Sequence, residues 1–435
     1  MNNREIFGLS LVVLLLMAAA GGLWAQELKF DGYLNSGLGV VVDNNEDNDP
    51  YIKAFGVDSE SNGYRFRLNG SYTNEAKNAG VRFRFQSQRR ADRGGLFSLP
   101  YAYGWVGFID GRITLTGGIV DDGTWTTADW FWNDDQGEGL GLLFKAEPVK
   151  GLNLGIGAYT ISQQSGGSNN ALIISSGNTL PNFGDIKLRP QDAKYTFNAA
   201  YTMPDTFRLG ASFRTKNRAA WGVVVADINN DDYLYTGREE PSQLIGEFRL
   251  LAVKGLTAVV IGVLENLDEL GDKGNILFSE TFGYKINDDL NIGLNAAQFL
   301  YNRGNVDVDP ALLFNLWGSY AFGSVVPRLD LVYLMGGQSK TATSAKQWER
   351  RGFVPQGGYP SSSGTPAKKD ADDDYSVFSV RPSIRFNLDN RIFLEIGDII
   401  NFDSANFEGA YKDSGDAKKN SLLTNVFYID VKFSF

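Results

Sequence analysis

Arginine recurs at every second position in two neighbouring segments of the chain, 64–72 and 81–88, with mostly apolar side chains at the positions between. Guanidinium groups in a row can bind anions or orient polar solutes in water, so these residues are the first candidates for a functional site. Successive side chains of a β-strand point to opposite faces, so this period of two predicts strands with one basic face and one apolar face. The candidates for a basic wall are Arg65, Arg67, Arg82, Arg84 and Arg112.

A second group of candidates lies in segment 121–138, where carboxylates are interleaved with tryptophans. Carboxylates facing guanidinium groups across a narrow aqueous slot would create a transverse field that orients dipolar solutes. The tryptophans could stack on sugar rings, or could anchor the chain at a membrane interface. An ordinary solvated loop would also have this composition. The acidic candidates are Asp121, Asp122, Asp129, Asp134, Asp135 and Glu138, and the aromatic candidates are Trp125, Trp130 and Trp132.

Composition excludes several other kinds of chemistry. The sequence contains no histidine and no cysteine, which removes Ser-His and Cys-His nucleophilic catalysis, the usual zinc sites and disulfides. A net charge of −10 argues against nucleic acid as a partner. We therefore expect neither an enzyme nor a cofactor-binding protein.

Two segments alternate oxygen ligands as calcium loops do, but both lack the glycine and the glutamate of such loops. Turn composition explains them more simply, and we predict no metal site. The segments contain Asp227, Asn229, Asp231 and Asp232, and Asp43, Asn45, Asp47 and Asp49.

The first 25 residues are typical of an export signal. Arg4 supplies positive charge, Leu9–Leu16 is apolar, and Ala25 is the expected last residue before cleavage. No later segment approaches the roughly 18 continuous apolar residues that a spanning helix needs. The organisation that we predict is a signal peptide, 1–25, followed by one domain, 26–435.

The rest of the chain consists of short alternating segments joined by tight turns and long polar loops in turn. This pattern predicts an all-β, transmembrane, antiparallel up-and-down barrel of about 18 strands, with short turns on one side and long loops on the other. The count falls to 16 unless 221–235 is a hairpin within an outer loop. A secreted β-sandwich would also alternate, but it needs no such pairing of turns and loops.

Energetics predict which face is inside. An arginine facing lipid at mid-depth costs roughly 2–4 kcal/mol, so the basic faces must enclose water. Glu280 breaks the pattern, because it shares a face with Phe278 and Phe282. A bulge, a subunit contact or a misread register could each explain it.

The last strand resembles the assembly signal of bacterial outer-membrane barrels, which a barrel-assembly machinery recognises. Its aromatic and branched side chains alternate up to the terminal residue. These residues are Phe427, Ile429, Val431, Phe433 and Phe435.

A further resemblance narrows the family. Segment 102–108, with Gly111, Thr114, Leu115 and Gly117, resembles the fourth and fifth strands of the general diffusion porins. That resemblance implies an outer-membrane homotrimer, and a third outer loop, here 121–138, that folds into the pore as its constriction. It implies passive diffusion of small hydrophilic solutes and ions. A sugar-type specific channel and a surface adhesin or structural barrel remain alternatives. The acidic loop suggests a weak preference for cations, which the arginines oppose.

Overall fold

The structure is a computed structural model, and the residues that it describes lie in β-strands, turns and connections, apart from a single 3-10 position. No helix among the described residues is long and apolar enough to cross a membrane. The described residues are 28–43, 50–55, 64–87, 97–120, 139–160, 172–174, 193–215, 242–265, 267, 275–301, 311–335, 376–403, 412–413, 416–417 and 423–435.

The described strands are β1 (Lys29–Asp43), β2 (Tyr51–Phe55), β3 (Tyr64–Thr73), β4 (Ala79–Ser87), β5 (Phe97–Phe108), β6 (Ile113–Val120), β7 (Gly139–Val149), β8 (Leu152–Thr160), β9 (Leu172–Ile174), β10 (Ala193–Met203), β11 (Phe207–Arg214), β12 (Gln243–Leu250), β13 (Leu256–Glu265), β14 (Asn275–Lys285), β15 (Leu290–Tyr301), β16 (Ala311–Tyr320), β17 (Val325–Met335), β18 (Ser376–Asn387), β19 (Ile392–Asp403), β20 (Lys412–Asp413), β21 (Asp416–Ala417) and β22 (Leu423–Ser434). Twenty of the 22 described strands belong to one sheet, and β20 and β21 pair with each other in a separate two-stranded sheet.

The sheet closes on itself, because β1 pairs with β22 in an unbroken antiparallel register from Tyr33–Ser434 to Asp43–Thr424. Eighteen strands form the barrel. Both β2 and β3 pair with the same edge of β1, β3 with residues 29–36 and β2 with residues 37–41. Strand β9 pairs with the first three residues of β5. The predicted all-β antiparallel barrel of 18 strands is therefore confirmed.

Connections at the two ends of the barrel differ in length, as predicted. At one end the strands are joined by tight turns, such as Ile109–Gly111, whose residues have positive φ. The turn between β3 and β4 is held by Asn74, whose Oδ1 accepts the backbone N–H groups of Asn78 and Ala79 at 3.0 and 3.1 Å. The long connections lie at the other end, where β6 and β7 flank 121–138.

The outer face of the barrel is apolar. Its large side chains are between a third and two thirds exposed, which suits a surface that meets lipid. They include Leu38, Val40, Leu142, Phe144, Ile156, Phe197, Leu244, Phe248, Phe282, Leu294, Leu316, Phe378 and Phe427.

The inner face carries the polar side chains of the same strands, as the period of two requires. Many are buried against their cross-strand neighbours. They include Asn35, Arg65, Thr116, Thr196, Asn198, Ser212, Arg214, Glu247, Ser279, Asn295, Asn315, Glu395 and Asp430.

Glu280 lies on the outer face, and the structure excludes two of the three explanations for it. Strand β14 pairs with β13 and with β15 in unbroken register, so there is neither a bulge nor a shift at this residue. The amide of Gln298, also on the outer face, donates to Glu280 Oε1 at 3.4 Å. A polar pair at mid-strand is therefore part of the outer surface.

The two faces can be distinguished by labels at adjacent positions, because the chain has no native cysteine. We expect a nitroxide at Phe66→Cys to collide with oxygen dissolved in lipid, and one at Arg67→Cys to collide with a water-soluble nickel chelate. Electron paramagnetic resonance accessibility measures both. A lipid-exposed label at position 67 with a water-exposed label at 66 would contradict the register.

Candidate functional site

The four predicted arginines of strands β3 and β4 lie side by side on the inner face. The register places Arg84 opposite Asn69, and Arg67 opposite Gln86. Arg84 Nε donates to Asn69 Oδ1 at 2.9 Å, and Arg67 Nε donates to Gln86 Oε1 at 3.3 Å. We define Arg65, Arg67, Arg82 and Arg84 as the first basic arc, in which cross-strand hydrogen bonds to neutral amides position Arg67 and Arg84.

Tyrosine rings support the same arc. The ring of Tyr101 on β5 is almost fully buried, and its centroid lies 4.9 Å from Arg84 Cζ and 5.7 Å from Arg82 Cζ. A ring face attracts a guanidinium group without neutralising its charge. The Tyr101 ring therefore helps to hold Arg82 and Arg84 in place on the inner face.

Arg112 is not brought to this arc. It lies in the tight turn that precedes β6, where it is exposed and its backbone N–H donates to Ile109 O at 3.1 Å. The predicted wall is thus built from the arginines of β3 and β4, with Arg112 at the turn end of the barrel.

A second basic arc lies on β17, β18 and β22, and consists of Arg328, Arg381, Arg385 and Lys432. Arg328 makes two 2.7 Å hydrogen bonds to the carboxylate of Asp330. Arg385 contacts Glu395 Oε2 at 2.7 Å through Nη2, and the Tyr428 hydroxyl donates to Glu395 Oε1 at 3.0 Å. Arg328 and Arg385 are thus held by acids on the same wall.

Aromatic rings join the two arcs across the line where the barrel closes. Lys432 Nζ lies 4.7 Å from the Tyr33 ring centroid, and Arg67 Cζ lies 5.4 Å from the same centroid. On the other side, Lys432 Nζ and Arg385 Cζ lie 5.8 and 4.2 Å from the centroid of Phe393. Cations and rings therefore alternate along the seam row, which we define as Arg67, Tyr33, Lys432, Phe393 and Arg385.

Part of the inner face is apolar, which the alternation did not predict. Side chains near the long-loop ends of β12 to β17 point inward and are 0–2% exposed. The charged arcs therefore occupy one side of the interior, from β17 through the seam to β4. The inner apolar band consists of Ile245, Ile261, Val263, Leu277, Leu313 and Val332.

The remaining predicted site residues lie outside the described part of the chain. These are the acidic and aromatic candidates of 121–138, the segment 227–232, and all of the other calcium-like segment except Asp43. Within the described ranges there is no group of three or more acidic side chains placed to hold a metal ion.

The chain folds as a closed antiparallel barrel of 18 strands. No family model and no curated protein matches its sequence. Among solved structures, the outer-membrane expressed OmpT of Vibrio cholerae is similar, with 11% identity, a TM-score of 0.42, and coverage of 95% of this chain and 99% of that one. A mutant of the porin from Rhodopseudomonas blastica is 14% identical with a TM-score of 0.37, and coverage is 94% of this chain and 100% of that one. The fold assignment rests on the strand pairing and not on these similarities.

The ion pair between Arg385 and Glu395 gives a test of the wall's construction. Glu395→Gln removes the charge that a buried carboxylate offers to Arg385, and we expect it to lower the free energy of unfolding by about 1–3 kcal/mol. The double variant Arg385→Gln/Glu395→Gln should lose less, because no cation is left without its partner acid. Denaturant unfolding in detergent measures both.

The matched control is Asp288→Asn, which removes a surface pair with Lys285 whose carboxylate is 98% exposed. Surface ion pairs contribute little to the free energy of unfolding, so this variant should unfold at the same denaturant concentration as the wild type. Equal losses in Glu395→Gln and in the control would contradict the structural role of the inner pair.

Proposed function

We propose that this protein is an outer-membrane channel through which small hydrophilic solutes and ions diffuse passively after export by its N-terminal signal. The supporting observation is the division of charge between the two faces of the barrel. The basic side chains of the described barrel strands point inward and the outer face is apolar, so the inner groups need water or polar solutes around them. A wall of hydrated guanidinium groups inside a closed barrel suits a conducting lumen.

We further propose that 121–138 constricts this channel. The segment connects β6 with β7 at the long-loop end, and only β5 separates β6 from β4 with Arg82 and Arg84. It is long enough to reach the first basic arc from the rim. Its carboxylates would then face the arginines across the lumen, and solutes crossing the slot would be oriented by the field between them.

An enzymatic role is not part of the proposal. Catalytic devices that use histidine or cysteine are excluded by the composition, and the inner acids Asp330 and Glu395 are held in ion pairs with Arg328 and Arg385. The second candidate function is a sugar-type specific channel, which Trp125, Trp130 and Trp132 would favour by stacking on sugar rings. A surface adhesin would need no conducting lumen.

Purified protein added to planar lipid bilayers should produce discrete conductance steps. Arg82→Gln/Arg84→Gln should change the size of these steps, because both side chains are on the proposed wall. The control is Leu244→Ala/Phe248→Ala on the lipid face, which should leave the step size unchanged. An inserted barrel with no conductance would favour an adhesin, and current block by a neutral disaccharide would favour the sugar-type channel.

We also propose that the barrel associates with copies of itself as a homotrimer, as the porin resemblance implies. The outer face carries two carboxylates at mid-strand, each beside an amide: Glu280 with Gln298, and Asp398 with Asn425, whose Nδ2 donates at 3.1 Å. Carboxylates facing lipid at this depth are unfavourable. A neighbouring subunit that covers them with polar groups would remove that cost.

Glu280→Leu distinguishes a subunit contact from a lipid-exposed defect. If the residue lies in an interface, the variant should dissociate at lower detergent or denaturant concentration than the wild type, because a polar contact is lost. The size of the complex, measured by light scattering in detergent, reports this. An unchanged or more stable complex would show that Glu280 contributes nothing to association, and Leu294→Ala serves as the outer-face control.

A further inference from the structure

Three ion pairs between described residues of the inner wall share an asymmetry in exposure. The side chains of Arg328 and Arg385 are 40% and 38% exposed, while those of their partners, Asp330 and Glu395, are 14% and 6% exposed. In the pair on β11 and β12, Arg208 is 16% exposed and Glu247 is fully covered. In every case the carboxylate is recessed against the sheet and the guanidinium group faces the lumen.

This arrangement matters because an ion in the lumen interacts most strongly with the charges that it can approach. Coulomb energy falls with distance, and in salt water it is screened within about 8–10 Å. An ion pair with no net charge therefore still presents a positive surface to the lumen if its cation lies nearer the lumen than its acid. The net charge of the wall alone therefore underestimates how strongly the wall attracts an anion in the lumen.

We propose that the lumen prefers anions, and that the solutes it admits best are small hydrophilic anions such as inorganic ions and short sugar acids. This inference rests on the proposed channel function and adds the class of solute. It reverses the weak cation preference that the acidic composition suggests.

The inner wall is also basic in sum. Basic side chains on the inner faces of the described strands outnumber acidic ones, although the whole chain has a net charge of −10. The acidic excess of the sequence therefore belongs to turns, outer-face positions and segments outside the described strands. Leaving aside the solvated pair of Lys285 and Asp288 at the rim, the inner basic residues are Lys29, Arg65, Arg67, Arg82, Arg84, Lys145, Lys194, Arg208, Arg214, Arg249, Arg328, Arg381, Arg385 and Lys432, against Asp31, Glu147, Glu247, Asp330, Glu395 and Asp430.

At the seam the acid is again recessed behind the cation, but an amide instead of a guanidinium group bonds to it. Asp430 on β22 is fully buried, and both of its carboxylate oxygens accept from Asn35 Nδ2 at 2.9 and 2.8 Å. Lys432, two residues along the strand, is partly exposed and lies over the Tyr33 ring. The acid is again recessed, and the cation again faces the interior.

The rings of the seam row favour simple anions over sugars at this place. Tyr33 and Phe393 each have two cations within 6 Å of the ring centroid. Ring faces occupied by Arg67, Lys432 and Arg385 are not open platforms for a sugar ring. What they offer a solute is a row of positive charges held in place by aromatic contacts.

Reversal potentials across a potassium chloride gradient test the proposal. We expect the purified channel to be at least about threefold more permeable to chloride than to potassium. With potassium gluconate in place of chloride, permeation of the organic anion should remain measurable. A channel that conducts but prefers potassium overturns this inference alone, whereas a barrel that does not conduct overturns the proposed function as well.

The decisive variant carries Arg328→Gln, Asp330→Asn, Arg385→Gln and Glu395→Gln together. These changes leave the net charge of the wall unaltered, and they remove each of the two cations together with the acid that it contacts. If exposed guanidinium groups set the selectivity, the chloride preference should fall at least about twofold. Unchanged selectivity would show that only the summed charge matters and would overturn the role of the recessed acids.

A matched control replaces the turn pair, Lys285→Gln/Asp288→Asn, which also leaves net charge unaltered. It lies at the rim, where both partners are solvated, and it should keep the chloride preference of the wild type. Heat resistance of the folded band on gels verifies that each variant has formed its barrel before currents are compared.

Discussion

Lipid cannot hydrogen bond to a peptide group or solvate a charge, and this single constraint governs the whole molecule. Every backbone N–H and C=O of a spanning strand needs a partner in the sheet, so the sheet must close. It closes between β1 and β22, where Gly32 N and O bond to Phe435 O and N at 3.0 Å each. The same constraint fixes the register, because a slip of one residue would turn Arg65 and Arg67 toward lipid.

Close contacts between strands follow from that register. The ring of Phe435 lies against Gly32, where a Cβ atom would meet ring carbons at 2.8 and 3.0 Å, and it stacks on Phe66 at 6.4 Å. On the inner face Trp317 covers Gly293 in the same manner, and Arg328 lies 4.6 Å above the tryptophan ring. Glycines thus provide the space in which aromatic side chains lie flat on the wall. On the inner face that packing in turn positions a cation.

Strands, turns and the two faces could be predicted from the sequence because their signals are local. A period of two within 64–72 and a short polar segment at 74–78 are visible without knowledge of the fold. The second basic arc gave no comparable signal. Arg328 shares its strand face with an acid, and Lys432 meets Tyr33 only because the two ends of the chain pair with each other. The pairing of β1 with β22 depends on closure of the barrel, and the local sequence pattern does not indicate it.

The inner apolar band escaped prediction for another reason. In segment 256–264 apolar residues occupy both faces, so alternation cannot say which of Val259, Val260 and Ile261 points inward. The role of Arg112 was overestimated because its phase agrees with the inner face of β6, while its position is in the turn. The alternating pattern gives the face to which a side chain points, but its position along the barrel axis depends on where the strand begins.

The depth of each charge relative to the wall depends on side-chain length, which residue type gives, and on cross-strand partners, which alternation does not give. A carboxylate has a short side chain, so it lies close to the strands and accepts from groups such as Tyr428 and Asn35. Arginine and lysine have long side chains that extend past those acids toward the interior. An equal number of acids and bases on an inner wall is therefore not electrically neutral to a passing ion. Side-chain length alone gives such a wall a positive surface, and the surplus of bases reinforces it.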